Sequence, residues 1–357
     1  MPILMNRDIK QTLNALTPWF KDKLSCKELK LESLGSPETT GFSNETLIIK
    51  NTFKKGKSAI DEFYVLRFKP TGFQVFPEYD LTKQVKIMKA LRNVSLPTPE
   101  VLWEEKEESI IGTPFYVMRW IEGKAPADNP PFHMDPNSWV AKASPEQRKE
   151  LWHGWVDYMS KVHLLNPQDL DLLFLDQPHL GKTSLDQSLS YYEDFLQWSM
   201  EGKSHQFCEI VLEWLKDNKP KGNKLITLCW GDCRCGNILY SNFKPTALLD
   251  WEMASLGNPL MDLAWGIAVD DANSLGLNIP RLEGFPDYQQ TIDRWIKNTG
   301  FSVNNYSYYR ILALFKFSVI MVMTSKKMIS SGFLAEDSNY FIDNHVTQYL
   351  KLEMEKI

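Results

Sequence analysis

Segments able to form strands and segments able to form helices are sorted along this chain instead of alternating, and that sorting limits the possible folds more than any other feature. Before residue 120 strands dominate. Gly41 to Lys50 is a polar turn feeding a β-branched run, and Phe63 to Phe68 is a second strand, with the lysine-rich Asn51 to Lys57 as their hairpin connection. An amphipathic helix from Ile9 leads into a strand that ends near Leu34, before Gly35-Ser36-Pro37. Leu81, Val85, Met88 and Leu91 recur at helical spacing between Asp80 and Leu91, and Pro97 and Pro99 follow. Ile110 to Trp120 alternates again. Glu122 to Ser144, rich in Pro, Asp and Asn, then marks a boundary. Beyond it the pattern predicts helices at Glu146 to Leu165, Leu185 to Glu201, Phe207 to Lys216, Tyr288 to Asn298 and Tyr306 to Lys327. Only Leu225 to Trp251 reads as strands in that half. Strands gathered in one half and helices in the other predict an α+β protein, not a repeated βα unit. At 357 residues, two units are expected, at 1–120 and 121–357.

Composition narrows the function. The 40 Lys and Arg against 45 Asp and Glu leave a net charge of -5, so no global basic field would hold nucleic acid or an anionic membrane, and neither is expected as a partner. Arg7, Asp8 and Lys10 interrupt the start before a signal-peptide core can form. The apolar stretch Ile311 to Thr324 is short for a membrane span and contains Lys316. The expectation is a cytoplasmic protein, of no stated oligomeric state. Five cysteines, an odd number, make no disulfide framework. Cys229, Cys233 and Cys235 cluster without a partner pair at zinc spacing, and they read as small buried thiols in a tight loop. Trp152, Trp155 and Trp265 read as core packing, and His163 as a core or helix-terminal histidine.

The chemistry concentrates in one segment. Trp230-Gly231-Asp232 precedes Asn237 by five positions from the aspartate, and the short apolar run Ile238 to Tyr240 follows. A turn at Ser241 to Pro245 returns the chain through Ala247-Leu248-Leu249 to Asp250. If those two runs pair, Asn237 and Asp250 lie side by side at one end of a hairpin, with Asp232 on the loop before them. Two carboxylates and an amide form an oxygen-rich cluster suited to Mg2+, which takes one or two protein oxygens together with phosphate oxygens and water. Phosphoryl transfer uses such a cluster, because its transition state spreads negative charge over phosphate oxygens and needs a positioned hydroxyl.

The whole run resembles the His-Gly-Asp-x-x-x-x-Asn motif of the aminoglycoside phosphotransferase and choline kinase family, standing here as Trp230-Gly231-Asp232, Asn237 and Asp250-Trp251-Glu252. Gly257-Asn258-Pro259-Leu-Met-Asp262-Leu-Ala264 resembles the family's downstream motif. The resemblance implies a two-lobed protein-kinase-like fold, an antiparallel N-terminal sheet with ATP in the cleft before a helical lobe. It implies that Asp232 orients and deprotonates an acceptor hydroxyl, that Asn237 and Asp250 hold Mg2+ on the ATP phosphates, and that Arg234 can reach the transferring phosphoryl group. Asp262 would brace the catalytic loop without a catalytic role.

The same resemblance places a phosphate-covering loop at Ser43 and Asn44 and a nucleotide-binding basic residue at Arg67. Met118 and Trp120 then fall on the linker that presents backbone to adenine. Three positions depart from the family pattern: Trp230 replaces His, Arg67 replaces Lys, and Gln84 stands where the acidic partner of that lysine is expected, with Glu78 nearby as an alternative. Trp-Gly-Asp and Asp-Trp-Glu-Met-Ala resemble most closely the kinase-like domain that precedes acyl-CoA dehydrogenase domains, for which hydroxyacyl-CoA thioesters are an acceptor class. The implied activity is Mg-ATP-dependent phosphorylation of a small hydroxylated molecule. An aminoglycoside kinase and a nucleotide-binding pseudokinase are the alternatives.

Overall fold

The computed structural model describes residues 7–37, 45–55, 58–222 and 225–357. The chain forms two compact units, Met1–Glu122 and Gly123–Ile357.

The first unit contains α1 (Ile9–Lys23), β1 (Leu29–Gly35), β2 (Glu45–Lys55), β3 (Ser58–Phe68), α2 (Leu81–Asn93), β4 (Val101–Glu105) and β5 (Phe115–Arg119). The strands make one antiparallel sheet in the order β1-β2-β3-β5-β4. Each helix starts where an aspartate accepts a free backbone N–H: Asp8 from Gln11 and Asp80 from Lys83, both at 2.9 Å. Side chains alternate across the pleat. Leu47, Ile49, Tyr64, Leu66, Phe68, Phe115 and Val117 face α1, which buries Leu16, Trp19 and Phe20 among them. Val65, Arg67, Tyr116 and Met118 take the other face, paired Val65 with Met118 and Arg67 with Tyr116.

The hairpin between β2 and β3 is longer than the lysine content suggests, because Asn51–Lys55 is strand and not connection. Cross-strand polar pairs stabilise it: Lys50 meets Asp61 at 2.7 Å and Thr52 donates to Asp61 at 2.6 Å, while Asn51 and Phe53 are buried on the reverse face. Of the alternation at Ile110 to Trp120, only Phe115–Arg119 is strand.

The second unit contains α3 (Pro145–His163), α4 (Ser184–Met200), α5 (Gln206–Asp217), β6 (Thr227–Cys229), β7 (Ile238–Ser241), β8 (Lys244–Leu248), β9 (Ser255–Gly257), α6 (Leu260–Ala272), α7 (Tyr288–Thr299), α8 (Tyr306–Ser330) and α9 (His345–Met354). Two small antiparallel pairs, β6 with β9 and β7 with β8, carry the motif segment. The helix α8 packs against α4, α5, α6 and α9. The Pro- and Asp-rich stretch after Glu122 folds onto this unit: Lys124 and Tyr240 exchange backbone hydrogen bonds at 2.9 and 3.0 Å, and the Trp139 indole donates to the Ala125 carbonyl. Cys208, Cys229, Cys233 and Cys235 are buried free thiols. Among the described residues, no helix is long and apolar enough to cross a membrane.

Candidate active site

The motif loop is held from behind. Strand β6 delivers Trp230 and Gly231, and Gly231 has φ +91°, with any Cβ falling 2.1 Å from the Met253 carbonyl oxygen, so the position accepts only glycine. Asp262, buried in the first turn of α6, accepts the backbone N–H of Trp230 at 2.6 Å and of Gly231 at 2.9 Å. Its Oδ2 also meets His163 Nε2 at 3.1 Å. The Trp295 indole N–H donates to His163 Nδ1 at 3.0 Å, which makes that nitrogen the acceptor and Nε2 the donor toward Asp262. His163 is thus a core histidine, two bonds removed from the motif loop.

Asp232 is met by three side chains. Its Oδ1 accepts from the Trp265 indole at 2.7 Å and from Arg234 Nε at 2.9 Å, and its Oδ2 accepts from Asn237 Nδ2 at 2.6 Å. The same Asn237 amide donates to the Asp232 backbone carbonyl at 2.9 Å, which fixes the five-residue spacing as a closed turn. Arg234 reaches onward through Nη1 to Asp128. Burial works against the Arg234 charge, but Asp128 and Asp232 together outweigh it and hold the guanidinium firmly protonated. Burial pushes the Asp128 carboxyl upward, with Arg234 opposing.

The hairpin brings the remaining two motif residues to one end. Ile238 pairs with Leu248, and the Leu249 N–H donates to the Asn237 carbonyl at 2.8 Å. Asp250 follows with φ +62°, a left-handed turn that redirects the chain toward β9. Trp230, standing where the resemblance has His, ties the loop to this turn. Its indole donates to the carbonyls of Leu249 at 2.8 Å and Asp250 at 3.2 Å, and its ring stacks on Trp251 at 5.0 Å. With Asn237 Nδ2 committed to Asp232, the amide oxygen is what Asn237 can offer a cation. The Asn237 amide oxygen and the Asp250 carboxylate are oxygen donors of the kind that Mg2+ takes, carried at the same end of the hairpin.

In the first unit, Arg67, Met118 and Trp120 take alternate positions on the β3 and β5 face that carries Tyr116. Gln84, 2% exposed on α2, meets this face: its Oε1 accepts the Tyr116 hydroxyl at 3.2 Å. Trp120 lies just past β5, 41% exposed, with its ring 5.9 Å from Phe63. Glu78 is exposed. Ser43 and Asn44 lie outside the described residues. The structure therefore groups Arg67, Gln84, Met118 and Trp120 in one unit, and Asp232, Arg234, Asn237 and Asp250 in the other. Sequence reasoning missed Asp128, which sits in a stretch read only as a boundary, and assigned Trp265 to packing although its N–H serves Asp232.

A strand-rich unit followed by a helical one, with an aspartate loop set on a short hairpin, defines a kinase-like phosphotransferase fold. The chain belongs to the phosphotransferase enzyme family, whose model matches residues 42–291. It is similar in structure to a protein of Ralstonia eutropha JMP134 assigned to the aminoglycoside phosphotransferases, with a TM-score of 0.66 and 18% identity over 95% of this chain and 98% of that one. The choline kinase LicA of Streptococcus pneumoniae gives a TM-score of 0.57 and 14% identity over 96% of this chain and 99% of that one. In sequence it is 26% identical, over 84% of its length, to acyl-CoA dehydrogenase family member 11 of Pongo abelii, and it spans 37% of the length of that relative.

Proposed function

We propose that this protein transfers a phosphoryl group from Mg-bound ATP to a hydroxyl of a small molecule. The observation that carries the reading is the Asp232 carboxylate, held by Trp265, Arg234 and Asn237 at the end of the hairpin that brings Asn237 beside Asp250. Asp232 orients the acceptor hydroxyl and takes its proton, a role that needs a fixed carboxylate within hydrogen-bond reach. Asn237 and Asp250 would hold Mg2+, which would supply charge neutralisation at the phosphate oxygens. Arg234 keeps Asp232 in place through Nε, and its Nη2 is left to meet a phosphoryl oxygen. Residues 1–120 bind the nucleotide through Ser43, Asn44, Arg67, Gln84 and the backbone of Met118 to Trp120. Residues 121–357 bind the acceptor, for which we favour a hydroxyacyl thioester, since the matched relative is named for acyl-CoA chemistry.

The test is Mg-ATP-dependent ADP release over hydroxyacyl-CoA thioesters, free hydroxy acids, aminoglycosides and choline, with Asp232→Asn alongside. Turnover on one class, reduced at least about 100-fold in the variant while nucleotide binding persists, supports the reading and names the acceptor. Absence of any nucleotide binding sinks it.

A further inference from the structure

Lys316 lies on the buried side of α8 and is 5% exposed. Its ammonium sits between two aromatic rings, 5.1 Å from the centroid of Tyr192 on α4 and 5.1 Å from that of Trp265 on α6. No described residue forms a hydrogen bond or ion pair with it. The two carboxylates whose field reaches it, Asp262 and Asp232, spend their oxygens elsewhere: Asp262 on Trp230, Gly231 and His163, and Asp232 on Trp265, Arg234 and Asn237. Aromatic faces stabilise a cation but accept none of its three N–H bonds in good geometry. A buried ammonium without an oxygen partner is costly, and a leucine or methionine would pack the same helix face more cheaply.

The position of the cage says what it is for. Trp265 turns its ring face to Lys316 and its N–H to Asp232, so one side chain forms the wall of the cage and a support of the carboxylate. Tyr192, the other wall, lies in the field of Asp232 and Glu252. We infer that Lys316 reads the acceptor, binding a carboxylate or carbonyl oxygen a few bonds from the hydroxyl that docks on Asp232. This rests on the assignment of Asp232 above and narrows it. A cationic acceptor such as choline or an aminoglycoside would place like charge near Lys316 and is disfavoured.

Three probes of similar size test the inference on the full chain by calorimetry: 3-hydroxybutyrate, its S-methyl thioester, and 1,3-butanediol, which lacks the carbonyl oxygen. The acid or the thioester should bind at least about tenfold more tightly than the diol, and whichever does so identifies the oxygen. Lys316→Met should abolish that preference and leave Mg-ATP affinity unchanged, and Lys316→Arg should keep part of it. A wild-type protein that binds the diol as well as the other two, or a Lys316→Met variant that keeps the preference, overturns the inference. The wild-type comparison stands even if a variant does not fold. Binding preference without ADP formation would remove the phosphotransfer reading and leave the oxygen site of Lys316 intact.

Discussion

The Asp262 carboxylate and the Trp230 backbone N–H meet at 2.6 Å, and the other oxygen of that carboxylate takes the Gly231 N–H at 2.9 Å. Asp262, in the first turn of α6, thereby fixes the backbone N–H groups of the two residues that precede Asp232. The brace is itself held, since His163 donates to it and Trp295 fixes His163. A chain of four buried groups thus connects α7, α3 and α6 to the motif loop, and each link is satisfied only while the others are in place.

Replacing Asp262 tests that chain. Asp262→Ala strands two backbone N–H groups and the His163 donor in a dry interior, which should cost about 3–5 kcal/mol, in the range for breaking a buried charged network. Urea unfolding monitored by tryptophan fluorescence measures it. A loss below about 1 kcal/mol would mean that the loop does not depend on the brace.

Gly231 is a backbone requirement of the same loop. Gly231→Ala must put a methyl 2.1 Å from the Met253 carbonyl and hold a left-handed φ, so either the loop or the turn after Asp250 must shift. We expect a fall of more than about 2 kcal/mol in stability, with turnover lost even in the folded fraction. Full activity in the alanine variant would contradict the close approach.

How much of this was legible in the sequence depended on the period of the pattern. The helices α2, α3, α4, α5, α7 and α8 showed themselves because one face of each is solvated or the run is long. The hairpin of β7 and β8 showed itself through its turn and the motif. In contrast, all thirteen residues of α6 are buried, so it has no solvated face to reveal a helical period. Strand β9 has three residues, too few for alternation to register. Asp128 meets Arg234 across 106 positions, a distance that no local pattern spans. Lys316 was visible as a charge in an apolar run, yet its cage depends on how α4 and α6 pack around α8.

The pH dependence of stability should carry a signature of His345. Burial draws its pKa from 6.5 down to about 4, and it sits against the Tyr340 hydroxyl at 2.7 Å and the Asn273 side-chain oxygen at 3.2 Å. As pH falls, the unfolded chain takes up this proton first, so stability is complete above the unfolded value, declines between 6.5 and about 4, and levels off below. The contribution is on the order of 3 kcal/mol as an upper bound, reduced by the solvent that reaches this half-buried ring. Urea unfolding from about pH 7.5 to about pH 4.5 should show a smaller decline in His345→Gln than in the wild type. Equal declines would place the titration elsewhere.

Asp128 offers the sharpest separation of stability from chemistry. Its carboxylate shares the Arg234 guanidinium with Asp232, and so limits how strongly that guanidinium draws on the group assigned to take the acceptor proton. In Asp128→Ala, Arg234 has Asp232 as its sole carboxylate partner, which makes the Asp232 oxygens poorer proton acceptors. Turnover should fall about tenfold, or about 1.4 kcal/mol in the barrier, while the KM for ATP stays within a factor of about two. Asp128→Asn, which keeps an oxygen toward Arg234 but not the charge, should fall between the two. Steady-state kinetics with saturating acceptor decides the matter: a rise in KM for ATP that matches the fall in turnover would make Asp128 a nucleotide-site residue, and unchanged turnover would remove it from the chemistry.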